Sequence, residues 1–439
     1  MRKYTWLFII TAFLLCHDLY GQYPLVKQLV DADSLRLVEI YKDIHQHPEL
    51  GFTEKRTSAI VAKELQALGY DVVTGLGKTG VAGVLHNGDG PVVMYRADMD
   101  ALPMKETTGL PYASTETTKK VDGTVVPLMH ACGHDAHVTW LLGVAKVMVN
   151  MKNIWKGTLV FVAQPAEEYI QGANAMVKDN MYAKGVPLPD YLFGMHTTPY
   201  AVGYVENIAG NRMAGSTGME VIFNGIGGHG SAPHLAKDPV IMAATAILEY
   251  QAIVNRSISA LNPHVITVGS VEAGTVANII PTTATLKITT RWYNDADRDL
   301  MVNGINRVDS SIAFANNLPP DLYPTVKMGG SVYPVKNDTA MVDKINAGLK
   351  KNLPNIKQIT GTPPTMGAED FPLLVINSKK NPVYDFMFVG IGNPEVCAKH
   401  SKSGKAYPYN NHNPNFAVDL SAIPLGAIIG SNVLLELFK

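Results

Sequence analysis

Apolar and polar positions along this chain follow two alternating periods. Across residues 57–68 apolar side chains recur at helical spacing, with Ile60, Val61, Leu65 and Leu68 on one side and Gly69 as the stop. Val72-Val73 opens extended sequence. Residues 81–85 and 92–96 are short β-rich runs split by the turn tetrapeptide Asn87-Gly88-Asp89-Gly90. Residues 139–149 predict a helix with Leu141, Leu142, Ala145 and Met148 on one face. Residues 158–163 are apolar without interruption, the pattern of a strand buried on both faces, and 191–195 repeat it. Strands alternating with helices predict an α/β sheet covered on both sides.

The pattern changes near Gly215. Residues 219–223 read as a strand, followed by the glycine-rich run Gly225-Ile226-Gly227-Gly228-His229-Gly230-Ser231. A helix over 239–254, strands at 264–271 and 284–292, a helix over 295–314 and a strand at 325–335 make an α+β stretch of ordinary domain size. The α/β character resumes with a helix at 340–349 and a strand at 386–389. Residues 215–335 therefore read as an insertion dividing a main domain of 22–214 and 336–439. Two domains also suit a chain of 439 residues, since single cores stop growing well before that length.

Composition narrows the class. An apolar fraction of 46% and a charged fraction of 17% belong to a folded globular protein. A net charge of −1 leaves no footprint for nucleic acid or an acidic membrane surface. Arg2 and Lys3 precede apolar residues 4–15, a run too short to span a bilayer, and polar sequence resumes at His17. This predicts an export signal over residues 1–21, cleaved near Gly21-Gln22, and a periplasmic or secreted protein with no integral membrane span. Cys16 raises a lipid-anchored form, which Leu15 before it disfavours. The other cysteines, Cys132 and Cys397, either pair as a disulfide or leave Cys132 to a metal and Cys397 as an ordinary loop residue. The second reading is preferred.

The densest chemistry is Met129-His130-Ala131-Cys132-Gly133-His134-Asp135-Ala136-His137, one thiol, three imidazoles and a carboxylate within nine residues. A thiolate and an imidazole two residues apart suit a borderline metal such as zinc. Gln164-Pro165-Ala166-Glu167-Glu168 ends one apolar run, Gly194-Met195-His196 ends another, and Asp98 and Asp100 follow the run ending at Arg96. In sheets of this kind ligands gather outside the carboxyl ends of the strands. Polar residues end strands in most proteins, but that does not explain so many metal-ligand types converging on one sheet edge. A late His412 follows Tyr409-Asn410-Asn411.

With these residues assembled, the chain resembles the co-catalytic metallopeptidase superfamily of aminoacylase and carboxypeptidase G type, and most of all its amidohydrolase branch of hippurate and auxin-conjugate hydrolases. The markers run from His45-Gln46-His47-Pro48-Glu49 to His412. They include Tyr95-Arg96-Ala97-Asp98-Met99-Asp100-Ala101-Leu102-Pro103, the Cys132 motif, Glu167-Glu168, Gly194-Met195-His196, Gly228-His229, Asn278-Ile279-Ile280-Pro281 and Gly367-Ala368-Glu369-Asp370-Phe371. The resemblance implies an α/β catalytic domain with a mixed central sheet and an inserted α+β lid that forms a homodimer. It implies two divalent ions per subunit held by Cys132, His134, Glu168, His196 and His412, with Glu167 as general base. Zinc or manganese is expected, cobalt and nickel being further options. Asp98 and Asp100 orient the ligands, and His229 serves a site, often that of the partner subunit. Asn278 and Arg291 are candidates to hold a substrate carboxylate. Asn411 departs from the family, where leucine is more usual before the last histidine.

These residues suit hydrolysis of the amide in an N-acyl amino acid or a related small conjugate. A dipeptidase or small-peptide carboxypeptidase and a catalytically silent ligand-binding protein are the competing readings. Retention of Glu167 alongside every ligand position argues against silence. His45, His47, His130, His137 and His234 are expected in supporting roles.

Overall fold

The computed structural model describes residues 22–119, 122–402 and 408–439, so the expected export signal and Cys16 lie outside the described residues. Helices α1 (Gln22–Gln46) and α2 (Lys55–Ala67) lead into strands β1 (Asp71–Leu76), β2 (Gly80–Asn87) and β3 (Val92–Asp98). Then come α3 (His134–Asn150), β4 (Gly157–Gln164), α4 (Gly172–Lys178), β5 (Tyr191–Ala201) and β6 (Tyr204–Glu206). The chain continues through β7 (Gly215–Asn224), β8 (Gly228–His229), α5 (Pro239–Ala252), β9 (Val265–Ala273), β10 (Ile279–Ile280), β11 (Thr283–Trp292), α6 (Asp295–Ala315) and β12 (Thr325–Val332). It closes with α7 (Thr339–Asn352), β13 (Lys357–Ile359), β14 (Val383–Gly392), α8 (Pro394–Lys402) and α9 (Ala422–Leu437). Among the described residues no helix is long and apolar enough to cross a membrane.

Two units result. Among the described residues, the first takes in those up to Gly210, Asn337–Thr362 and those from Leu373 on; the second is Asn211–Lys336 with Pro363–Pro372. The first unit's sheet has the order β1-β2-β4-β3-β5-β14-β6-β13. Its central strands β4, β3, β5 and β14 run parallel, while β1, β2 and the β14–β6 pair are antiparallel, so the sheet is mixed. Every residue of β4 is buried, as its uninterrupted apolar pattern requires. Helix α3 was expected to bury one face. It is buried on nearly all sides instead, because α1, α9 and the sheet all pack against it. The hydropathy reading did not pick out α1 or α9. Yet Val26, Val30, Asp33, Leu37, Tyr41 and Ile44 of α1 are buried at three- to four-residue spacing.

In the second unit β9-β11-β7-β12 form an antiparallel sheet. Along β7 burial alternates, placing Met219, Val221 and Phe223 in a core with Tyr250, Leu286, Trp292, Met301 and Ile305. Asp238 caps α5 through the Val240 N–H, and Asn294 caps α6 through the Asp297 N–H. Pro363–Pro372 lies outside the stretch that hydropathy marks as inserted. It joins this unit because Ala214 N donates to the carbonyls of Thr365 and Gly367, and Tyr293 Oη donates to Thr365 O.

His45, near the end of α1, ties the first unit together beneath α3. Its Nδ1 lies 2.6 Å from Asp135 and its Nε2 3.3 Å from Glu106, and all three groups are buried. Burial alone would depress this imidazole, but the hydrogen bonds to the two carboxylates lift it to about 9. A folded-state value above the unfolded one stabilises fully below pH 6.5, and that contribution disappears as pH rises through about 9. The shift corresponds to on the order of 3 kcal/mol. Urea unfolding of metal-free protein at pH 6, 7.5 and 9.5 should therefore show a stability loss that His45→Gln does not share. Parallel pH profiles for the two proteins would refute this.

Candidate metal centre

Sheet register places two of the candidates, Asp98 and His196, in one row. Arg96 of β3 pairs with Val162 of β4 and with Gly194 of β5. Two residues further along each strand stand Asp98, Gln164 and His196, level with one another and on the same face as those three. Strand β5 was expected to stop before His196 but continues to Ala201, because β14 supplies paired backbone beyond it. Gly133 (φ 88°) starts α3, and a Cβ there would stand 2.6 Å from Thr197, so the sharp entry to the helix needs glycine. That entry puts Cys132 before the helix and His134 in its first turn.

Sulfur, imidazole and carboxylate donors of Cys132, His134 and Glu168 lie within 4.8 Å of one another. Cys132 Sγ is 3.5 Å from His196 Nε2, and His412 Nε2 is 3.2 Å from Glu168 Oε1. His412 has left-handed backbone (φ 64°), and its N–H donates to Ala131 O at 2.7 Å, holding the late segment against the Cys132 loop. His134 Nε2 is buried without a hydrogen bond of ordinary geometry. A buried imidazole nitrogen facing a thiol and a carboxylate is a poor arrangement for the protein alone and a good one for a borderline divalent cation.

Asp98, His134, His137 and His196 also form a close group, but hydrogen bonding removes His137 from it. His137 Nε2 accepts the Thr197 N–H at 2.8 Å, so its proton sits on Nδ1, which faces Asp98 at 2.5 Å. Neither nitrogen has a lone pair to offer a metal. Burial pushes this imidazole down to about 3, which keeps it neutral. Asp98 is similarly engaged, by Arg96 at 2.7 Å and by His137. Burial would raise its pKa, but Arg96 and the two histidines hold the carboxyl well below the usual carboxylate range.

Asp100 connects the parts. Its carboxylate meets His134 Nδ1 at 3.2 Å and accepts the N–H groups of Glu167 and Glu168 at 3.0 Å each. One side chain thereby orients an imidazole and the turn carrying both glutamates. Glu167 is buried, with its carboxylate 4.0 Å from His134 Nε2. Burial and the Glu168 charge push the Cys132 thiol up, but His196 and His134 prevail and bring it down to about 6. Hydrogen bonds to Cys132 and Glu168 lift His412 to about 10. A bound divalent cation would take over the charge that imidazolium protons supply to this cluster.

The remaining candidates belong to the second unit. His229 is exposed, and its Nδ1 accepts the Ser231 N–H at 3.1 Å, leaving Nε2–H as a donor. The β8–β10 pairing sets it beside Asn278, whose carbonyl accepts the Gly230 N–H. Arg291 is half-buried on β11, where its Nη1 donates to Ser216, Thr289 and the Thr290 carbonyl. Burial lowers its pKa, and no carboxylate pairs with it among the described residues. Cys132 and Cys397 are both free and buried, which removes the disulfide alternative, and Cys397 lies in α8 rather than in a loop.

Sequence reasoning passed over Glu54, Glu106 and Thr197, whose contacts with Ala166, His45 and Cys132 cross long stretches of chain. Asn411 stood out only as a departure from the family pattern. Its amide donates to the Cys132 carbonyl at 3.2 Å and approaches the sulfur at 3.5 Å.

A model of peptidase family M20/M25/M40 matches residues 94–430. The chain is similar to a hippurate hydrolase from Campylobacter jejuni, 39% identical over 298 residues, which are 67% of this chain and 74% of the relative. It is also similar to thermostable carboxypeptidase 2 from Saccharolobus solfataricus, 35% identical over 398 residues, 89% of this chain and 93% of the relative. Among solved structures, a dinuclear metal-binding peptidase of the M20 family from Bacillus subtilis superposes with a TM-score of 0.73 at 26% identity, covering 93% of this chain and 99% of its own.

Proposed function

From the premise that the chain belongs to peptidase family M20/M25/M40, we propose that it hydrolyses the amide bond of N-acyl amino acids, with metal, to a carboxylic acid and an amino acid. The observation that carries this reading is the convergence of Cys132, His134 and Glu168 donors beside a buried Glu167. Cys132, His134, Glu168, His196 and His412 would hold two divalent ions, and zinc suits the thiolate better than manganese does. Metal bound there would polarise the scissile carbonyl and acidify a water. Glu167 takes the water's proton as the oxygen–carbon bond forms, then passes it to the amine nitrogen as the carbon–nitrogen bond breaks. Asp100 keeps Glu167 and Glu168 apart in these tasks by fixing both backbone amides.

A small-peptide carboxypeptidase is the second reading, favoured by the similarity to the Saccharolobus enzyme. Assay of zinc- and manganese-loaded protein against N-acyl amino acids and dipeptides decides between them. Turnover confined to peptides would replace the first reading by the second, and none on either set would reject both. The export signal read from residues 1–21 supports an activity outside the cytoplasm.

His229 is proposed to donate its Nε2–H to the developing oxyanion, and the chain to act as a homodimer through its second unit. Ile241, Leu248 and Phe314, between 61% and 79% exposed on α5 and α6, support self-association. His229→Ala should cut turnover by about two orders of magnitude with metal content unchanged. If the histidine serves the partner subunit, mixing this variant with Glu167→Gln protein under subunit exchange restores activity at one of the two sites in each heterodimer. Absence of recovery despite proven exchange would place His229 in its own chain's site or outside catalysis.

A further inference from the structure

Strained backbone gathers around the turn that carries the two glutamates. Ala166 (φ 50°) and Ile170 (φ 55°) bracket it in left-handed conformation, although neither is glycine. Phe52 (φ 65°) and Lys78 (φ 91°) share that conformation. They reach the same place from the other side: the Phe52 ring lies 6.4 Å from that of Tyr169, and Lys78 Nζ stands 4.4 Å over Phe52. Non-glycine residues persist in such backbone only where their surroundings over-determine them, and such residues cluster at functional sites.

What over-determines Ala166 is a buried side chain with no place in the metal cluster. Glu54, entirely buried, accepts the Ala166 N–H on Oε1 at 2.8 Å and the Thr79 hydroxyl on Oε2 at 2.5 Å. Three successive amides of the turn, those of Ala166, Glu167 and Glu168, therefore end on two buried acidic side chains, Glu54 and Asp100. The same segment is tied to the chain beside Asp100, since Ala101 N donates to Glu49 O at 2.8 Å. It also presses on the turn directly, for a Cβ on Gly51 would stand 2.8 Å from the Tyr169 ring and 2.9 Å from Ala166 Cα.

We propose that Glu54 is a positioning residue of the hydrolytic site. It clamps the Ala166 peptide and thereby sets the direction in which Glu167 and Glu168 leave the turn. Without it, Ala166 N–H is a buried donor lacking an acceptor, and rotation at Ala166 swings both glutamates away from His134. The proposal rests on the metal-dependent hydrolase reading above. Displacements of about 1 Å near reacting groups can cost on the order of a hundredfold in rate, and losing an outer hydrogen bond weakens metal binding by roughly 10- to 100-fold.

Glu54→Ala and Glu54→Gln separate positioning from bulk stability. The glutamine can keep both contacts, its carbonyl accepting from Ala166 and its amide donating to Thr79 Oγ. Glu54→Ala is expected to lower kcat of the zinc-loaded enzyme by at least about tenfold with little change in KM, and to weaken zinc affinity against a chromophoric chelator. Glu54→Gln should stay within about threefold of wild type in both measures. If Glu54→Ala does not fold, Gly51→Ala, which pushes the same turn, should show the same kcat loss. Wild-type kcat and zinc affinity in folded Glu54→Ala, or in Gly51→Ala where it stands in, overturns the proposal. A Glu54→Gln as impaired as Glu54→Ala also overturns it. Wild-type protein that binds no zinc and cleaves no substrate would reject the hydrolase reading instead, with Glu168→Gln as the reference for direct loss of a ligand.

Discussion

Glu167→Gln should retain metal and substrate binding and lose about two to four orders of magnitude in kcat, the range of general-base catalysis. The substitution removes the proton acceptor and its negative charge while keeping the side chain's shape. The Glu167 N–H still reaches Asp100, and the Glu168 ligand position next to it keeps its own hydrogen bond to that carboxylate. An amide fills nearly the same volume in this buried place. Metal analysis, a binding isotherm for an uncleaved substrate analogue, and single-turnover kinetics on one preparation make the test. Near-normal turnover with metal bound would take the base role from Glu167.

The second large effect is loss of the metal. Cys132→Ala and Glu168→Gln should weaken divalent-ion affinity by more than the roughly 100-fold that a lost outer partner can cost, because each removes a donor atom. Activity should fall with metal occupancy and return, for wild type only, when a chelated sample is reloaded. Cys132 lies close to both His196 and His134, whose charges hold its thiol down to about 6, so the thiolate is already favoured near neutral pH. Zinc should therefore restore activity to stripped wild type at lower free concentration than manganese. Full activity after exhaustive chelation, or unchanged affinity in both variants, would exclude the metal role of these residues.

How much of this site can be read along the chain depends on the range of each interaction. The Cys132–His134 spacing is local, and so is the placement of Asp98 at the end of one apolar strand and of the glutamates just after another, because parallel strands deliver the residues at their carboxyl ends to one edge of the sheet. Contacts made across the fold have no local trace. Glu54 reaches Ala166 over 112 residues and His45 reaches Asp135 over 90, and nothing in either neighbourhood names the partner. His137 shows the same limit from the other side. As a residue type it matches His134, three residues earlier, and its supporting role is read from the sequence without the contact that explains it. Only the Thr197 amide, brought to its Nε2 by β5, withdraws its lone pair.

By itself, then, the sequence determined the periodicities that make β4 a buried strand and α2 an amphipathic helix, and it supplied the donor types a borderline metal needs. Those properties arise from each residue and its near neighbours. Tertiary structure decided which of those donors are available, how far β5 runs, and that Pro363–Pro372 belongs with the second unit. Each of these turns on a hydrogen bond between segments distant in sequence, whose geometry exists only once the sheet and helices have packed.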